Sequence, residues 1–107
     1  MSGIVEIRDY TIDPARFAAY KEWAIKLAAP WLKENLDVID FWMDDDMEPE
    51  VAGSNPLVSE NGQPNVTWII RWPDKDTREA EFDTRMGHAE WQEIWAQHPC
   101  PDGYLHM

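Results

Sequence analysis

The sequence has little of what several common classes of protein require. Its 107 residues contain one cysteine, Cys100, so an intrachain disulfide is excluded and a reducing compartment is expected. Lys and Arg number 9 against 21 Asp and Glu, which gives a formal net charge of -12. This charge repels the phosphates of nucleic acids and of anionic membranes, so we expect neither as a partner.

Several kinds of site are also missing. The five glycines are not grouped and no Gly-x-Ser-x-Gly occurs, which disfavours nucleotide binding and nucleophilic hydrolysis. The three histidines lack metal-ligand spacing, and the acidic run 44–46 lacks the Gly and Glu of a calcium loop. Apolar runs are far shorter than the ~20 residues of a membrane span. We therefore expect a cytoplasmic protein that needs no metal or cofactor.

What the chain does have is tryptophan, at seven positions. Its length and its content of 44% hydrophobic and 28% charged residues are typical of one globular domain, here residues 1–107. Seven indoles are too many for a core of this size, because each is large and its N–H needs a partner when buried. Some of them are expected to line a cavity or an interface.

Alternation of side chains predicts strands over residues 4–10, 36–43 and 66–72, with a short fourth strand starting at residue 104. Between the second and third strands, residues 44–65 are rich in acids, Pro, Gly, Ser and Asn. They predict a long loop, of a length that is often functional or mobile.

Helical spacing of apolar residues predicts a helix over 17–31, opened by Asp13 as cap and Pro14 at its first position and disturbed near Pro30. A second helical region starts at Asp76, where Asp76 and Glu79 resemble a capping box. It is interrupted at residues 87–88 and then resumes.

The resulting order β-α-β-β-α-β predicts an α+β, ferredoxin-like fold with helices on one face of an antiparallel sheet. We expect the other face to carry Tyr10 and Trp42, together with Trp68 and Trp72 if their side of the strand points outward. Core packing against the helices is the alternative for that pair. Because monomers rarely expose such a patch, we expect a homodimer through the sheet faces that encloses a cavity.

Residues 5–11 and 13–17, followed by 38–42, 66–72 and 90–92, resemble in their order and spacing the NIPSNAP family of dimeric α+β barrel proteins. The resemblance implies a ferredoxin-like fold that dimerises through its sheets. Related barrels include cofactor-free monooxygenases, polyketide cyclases, lactone isomerases and haem-degrading enzymes, which is an analogy of fold rather than of function.

Four residues are predicted to be catalytic. Arg8 would hold an oxyanion, while Tyr10 and His88 would exchange protons. Asp40 shares a strand face with Trp42, and partial burial there would raise its pKa and make it a general base.

Each of these predictions has a structural alternative. Glu6 and Arg8 lie two residues apart on one strand face and would neutralise one another. Asp40 would pair with Arg8 or Arg71. His88 follows a glycine at a helix break, a position that also suits a capping histidine.

Ligand contacts are predicted at Glu6, Trp42, Trp68, Arg71 and Trp91, with the tryptophans as flat walls for a small apolar or aromatic molecule. The predicted function is a small-molecule-binding barrel that acts as a cofactor-free isomerase, cyclase or monooxygenase. Two alternatives stay open: a non-catalytic binding or interaction module, and a haem-binding barrel with His88 as axial ligand.

Overall fold

The computed structural model describes residues 3–44 and 48–107. Within these ranges four strands form one antiparallel sheet in the order β2-β3-β1-β4. The strands are β1 (Ile4–Ile12), β2 (Val38–Met43), β3 (Val66–Trp72) and β4 (Tyr104–His106). The predicted α+β class with an antiparallel sheet is confirmed, and so is each predicted strand. β2 starts two residues later than predicted because Leu36 still ends the preceding helix.

The helical layer follows the apolar spacing of the sequence. Its segments are a short 3-10 turn (Pro14–Arg16), α1 (Phe17–Trp23), a π-helical segment (Ala24–Ala28), α2 (Ala29–Asn35), α3 (Lys75–Met86) and α4 (Ala89–Ala96). The disturbance expected near Pro30 takes the form of the π-helical segment, because a wider turn accommodates the missing N–H and the proline ring. None of the helices in the described ranges has the length and apolar character needed to cross a bilayer.

The start of α3 differs from the prediction. Asp74, not Asp76, is the cap, and its Oδ1 accepts from the Thr77 amide at 2.7 Å. Asp76 lies inside the first turn, where it complements the helix dipole instead of capping it. The predicted break is confirmed, since Gly87 ends α3 and His88 caps α4.

One face of the sheet is covered by the helices. In the β1–β3 ladder, Arg8 lies opposite Trp68 and Tyr10 opposite Val66, so these side chains share the covered face with Glu6 and Trp72. Tyr10, Trp68 and Trp72 are buried there. The expectation that Tyr10 lies on the open face is wrong, whereas Trp68 and Trp72 follow their alternative, core packing on the side of the helices. The indole N–H of Trp68 donates to the Tyr10 hydroxyl, and that of Trp72 donates to the Glu6 carboxylate. Both buried indoles are therefore hydrogen-bonded.

The opposite face of the sheet is open and partly apolar. Val5, Ile7 and Trp42 are 56%, 60% and 47% exposed, and Ile69 is half-buried beside Ile7. Trp42 is thus the one predicted aromatic that lies on this face. Three charged residues share it, namely Asp9, Asp40 and Arg71.

The connection between β2 and β3 is the predicted loop, residues 44–65, and its described part contains no helix or strand. At its end the buried Asn65 side chain accepts from the Ile12 N–H at 2.8 Å and donates to the Ile12 carbonyl at 2.9 Å. Asn65 therefore replaces a strand partner at the end of β1. Two residues of the acidic run, Asp45 and Asp46, lie outside the described residues.

Candidate functional site

A cavity of about 360 Å³ lies between the covered face of the sheet and the helices. Of the fifteen described residues that line it, nine are aromatic and one, Arg8, is charged. The lining residues are Arg8, Tyr10, Tyr20, Trp23, Ala28, Leu32, Phe41, Trp68, Phe82, Met86, Trp91, Gln92, Trp95, Tyr104 and Met107. This volume falls within the range of small-molecule sites.

The cavity exists because α3 and α4 do not pack tightly on the sheet. No residue of either helix is fully buried. Phe82 and Met86 on α3, and Trp91 and Trp95 on α4, are each four residues apart, so each pair forms a short stripe on one side of its helix. Both stripes face the cavity, and Trp91 also packs on Trp31 with ring centroids 5.3 Å apart.

The hydroxyl of Tyr10 is one polar group of the cavity. It accepts from Arg8 Nε at 3.1 Å and from Trp68 Nε1 at 3.0 Å, which occupies both of its lone pairs. Its own proton has no acceptor among the described residues. Tyr10 is therefore a hydrogen-bond donor toward the cavity.

Tyr104, at the start of β4, has a similar arrangement. The Cys100 amide donates to His98 Nδ1 at 2.9 Å, so the neutral ring carries its proton on Nε2, which lies 2.8 Å from the Tyr104 hydroxyl. Burial of His98, assisted by the charge of Arg16, lowers its pKa to about 4 and keeps the ring neutral near pH 7. The ring therefore acts as a fixed donor to Tyr104.

A tight turn before β4 holds His98 and Tyr104 in place. The Gly103 N–H donates to the Cys100 carbonyl at 2.9 Å, and the Gly103 carbonyl accepts from the Asp13 N–H at 2.8 Å. A Cβ at position 103 would lie 3.1 Å from the Cys100 Cβ, so glycine is needed for this close approach. Burial raises the pKa of the Cys100 thiol, which disfavours the reactive thiolate.

Behind the cavity, Glu6 is held by four hydrogen bonds. It accepts from Arg8 Nη1 at 2.8 Å, from Arg78 Nε and Nη2 at 3.0 Å each, and from Trp72 Nε1 at 3.0 Å. The bonds from Arg78, followed by those from Arg8 and Trp72, lower the pKa of Glu6 to about 2 despite its partial burial. Glu6 is thus a permanent carboxylate that fixes Arg8. The predicted Glu6–Arg8 pair is present.

The structure brings four of the nine predicted site residues together around the cavity: Arg8, Tyr10, Trp68 and Trp91. Glu6 stands behind them, in contact with Arg8. These five are the predicted residues that the geometry supports.

Three predicted residues lie on the open face instead. Asp40 accepts from the Phe41 amide at 2.8 Å and pairs with Lys33 at 3.4 Å, and these contacts lower its pKa. The expected rise is wrong because the carboxylate is solvated and not buried against an indole. Arg71 pairs with Asp37 at 3.0 Å. Trp42 is exposed and does not line the cavity.

His88 serves as a helix cap, which was its structural alternative. Its Nδ1 accepts from the Glu90 amide at 3.1 Å, and its side chain is half exposed. The ring lies 6.0 Å from that of Trp31 and does not line the cavity. Its predicted roles as proton carrier and as haem ligand therefore have no support in the geometry.

Sequence reasoning missed Tyr104 and the role of His98. The three residues of β4 are too few for alternation to reveal which side chains point inward. His98 continues the helical spacing of Trp91 and Trp95, and this pattern by itself indicates a structural role. Its contact with Tyr104 depends on the turn between them, which no sequence pattern signals.

Compared with protein-family models, with curated proteins and with solved structures, the chain has no match. The resemblance to the NIPSNAP family therefore stays a prediction. Among residues 3–44 and 48–107, no three His, Cys, Asp or Glu side chains are grouped in a way that would hold a metal ion.

Proposed function

We propose that the protein binds a small aromatic molecule in the cavity between its sheet and its helices. The observation that carries this proposal is an open volume of about 360 Å³ walled by nine aromatic side chains. Protein interiors are close-packed, and voids much larger than a water molecule are few. Aromatic walls that leave such a space unfilled favour a flat apolar ligand.

A second candidate is a cofactor-free enzyme that acts on the same kind of molecule. Two tyrosine hydroxyls that donate toward the cavity favour it, because such donors stabilise negative charge that develops on oxygen. No Asp, Glu, His or Cys is among the described lining residues, so none of these side chains lines the cavity as a general base. This favours substrates acidic enough to lose their own proton over base-catalysed isomerisation.

Filling the cavity should weaken binding. Ala28 lines it and is buried, so Ala28→Leu puts three further carbon atoms into the space a ligand would take. We expect at least a tenfold loss of affinity for one- and two-ring aromatic probes in isothermal titration, with little change in stability because the new side chain enters empty volume. Ala18→Leu, at an exposed position of α1, is the matched control and should bind like the wild type. Unchanged binding by Ala28→Leu would contradict the proposal.

We also propose the finer architecture: a ferredoxin-like fold in which two copies pack their open sheet faces together. The chain exposes 7201 Å², whereas a folded monomer of 12.5 kDa exposes roughly 6,200 Å². The surplus of roughly 1,000 Å² is close to the ≈800 Å² that each partner buries in a standard interface.

The side chains of the open face suit a second copy. Its apolar residues Val5, Ile7 and Trp42 lie among one basic residue, Arg71, and acidic ones such as Asp40. A two-fold axis through the face would let Arg71 of each copy form an ion pair with an acidic side chain of the other copy. The net charge of -12 on each chain opposes association, so salt should strengthen it.

A further inference from the structure

We infer that the cavity recognises an oxygen atom with negative charge, as in a carboxylate, phenolate or enolate, through the hydroxyls of Tyr10 and Tyr104 beside Arg8. This inference rests on the proposed binding function and names the chemical class of the ligand. It follows from how the donors and acceptors of the two hydroxyls are used.

Tyr10 has no acceptor capacity left. Arg8 Nε and Trp68 Nε1 occupy its two lone pairs at 3.1 and 3.0 Å. A hydroxyl that accepts from a guanidinium is polarised, and the low dielectric of the cavity strengthens the bond that its own proton makes. The natural partner of such a proton is an electron-rich oxygen, because a ligand N–H group would find no lone pair there.

Tyr104 is polarised by a separate route. The neutral His98 ring donates from Nε2 at 2.8 Å to its hydroxyl. Tyr104 also lines the cavity, so the proton of that hydroxyl is available to a ligand. The rings of Tyr10 and Tyr104 pack edge to face with centroids 5.4 Å apart, and both residues belong to the same cavity wall.

The charges around the two hydroxyls have the sign that an anion requires. Arg8 and Arg78 share the carboxylate of Glu6, and Arg78 also lies 3.7 Å from Glu79, but Arg8 is the one charged side chain among the described residues that line the cavity. Arg8 Nη2 makes no hydrogen bond within the described residues, and no Asp or Glu side chain is among the described lining residues. The acidic side chains that give the whole chain its negative charge are therefore absent from the described lining of this cavity.

Isothermal titration with matched acids and amides tests the inference on the wild-type protein. The pairs are benzoate with benzamide and 2-naphthoate with 2-naphthamide, which share ring and shape within each pair and differ in charge. We expect at least a tenfold tighter binding of the acid in whichever pair fits, because charge-assisted hydrogen bonds are about twice as strong as neutral ones. Equal binding of acid and amide overturns the inference and leaves the proposed function intact. If no probe binds, both fail.

Variants locate the source of the preference. Tyr104→Phe keeps the ring and removes the donor, so the preference for the acid should fall by about tenfold while amide affinity stays within about threefold. Gln97→Ala is the control, since Gln97 is exposed, donates to the Glu93 carbonyl at 3.4 Å and does not line the cavity. Its preference should equal that of the wild type. Full preference in a folded Tyr104→Phe protein, with folding checked by thermal unfolding, overturns the assignment of this donor.

Discussion

Replacing Ile7 by Asp should convert a dimer into a monomer. Ile7 is 60% exposed in the single chain, so the substitution leaves the fold intact. In a dimer formed through the open faces, each copy would bring an unpaired carboxylate into the apolar centre of the interface. Burial of such charges costs several kcal/mol, so we expect the dissociation constant to rise at least a hundredfold. Sedimentation equilibrium should show the mass falling from twice 12.5 kDa to 12.5 kDa.

Ile25→Asp is the matched control for this change. Ile25 is an isoleucine of similar exposure, 56%, but it belongs to the helical layer. The Ile25→Asp protein should remain dimeric, and added salt should tighten the wild-type dimer because it screens the repulsion between two chains of charge -12. A wild type that is monomeric at micromolar concentration would contradict the proposed interface, and so would dissociation by Ile25→Asp alone.

Replacing Glu6 by Gln should cost about 3 kcal/mol of unfolding free energy. The carboxylate joins Arg8 on β1 to Arg78 on α3 and also accepts from Trp72. A neutral amide therefore leaves the part-buried Arg8 without an anion and Arg78 with only the exposed Glu79. Because Glu6 also fixes Arg8, the variant should lose affinity for the acidic probes as well. Chemical denaturation monitored by tryptophan fluorescence measures the stability.

The same residue gives the wild type a dependence on pH. The pKa of Glu6 falls from 4.5 to about 2 on folding, so the unfolded chain binds a proton there more readily than the folded one. The stability due to Glu6 is complete above pH 4.5 and is lost as the pH falls toward 2. Glu6→Gln should lack this component of the acid transition.

Glu79→Gln provides the comparison for Glu6→Gln. Glu79 lies 3.7 Å from the same Arg78 but is 61% exposed, so it should change stability by about 0.5 kcal/mol or less. If the two substitutions lower the free energy of unfolding equally, Glu6 acts as an ordinary surface charge and does not hold Arg8 and Arg78 in place.

The secondary structure could be predicted well from the sequence because its signals are local. Alternation located residues 4–10 and 66–72 as strands, and the pair at 87–88 marked the end of one helix and the start of the next. These features depend on side-chain period and backbone preference within a few residues. They did not require knowledge of tertiary contacts.

The face of the sheet that each residue occupies could not be predicted, because alternation separates two faces without saying which one the helices cover. Because Glu6, Arg8 and Tyr10 are polar, their sequence pattern favours a solvent-exposed face or an interface. In the fold, Arg78 from α3 and Trp72 from β3 pair with them. Such partners are about seventy residues away in sequence, so the candidate site became visible only with the tertiary structure.

The most direct test of ligand binding in the cavity is an NMR titration of the indole N–H signals with 2-naphthoate, each signal assigned by a single Trp→Phe variant. Trp23, Trp68, Trp91 and Trp95 line the cavity, whereas Trp42 lies on the opposite face of the sheet. We expect the four lining signals to shift with one common affinity while that of Trp42 stays in place. A shift of Trp42 with the four lining signals unchanged would put the ligand on the open face and contradict the account.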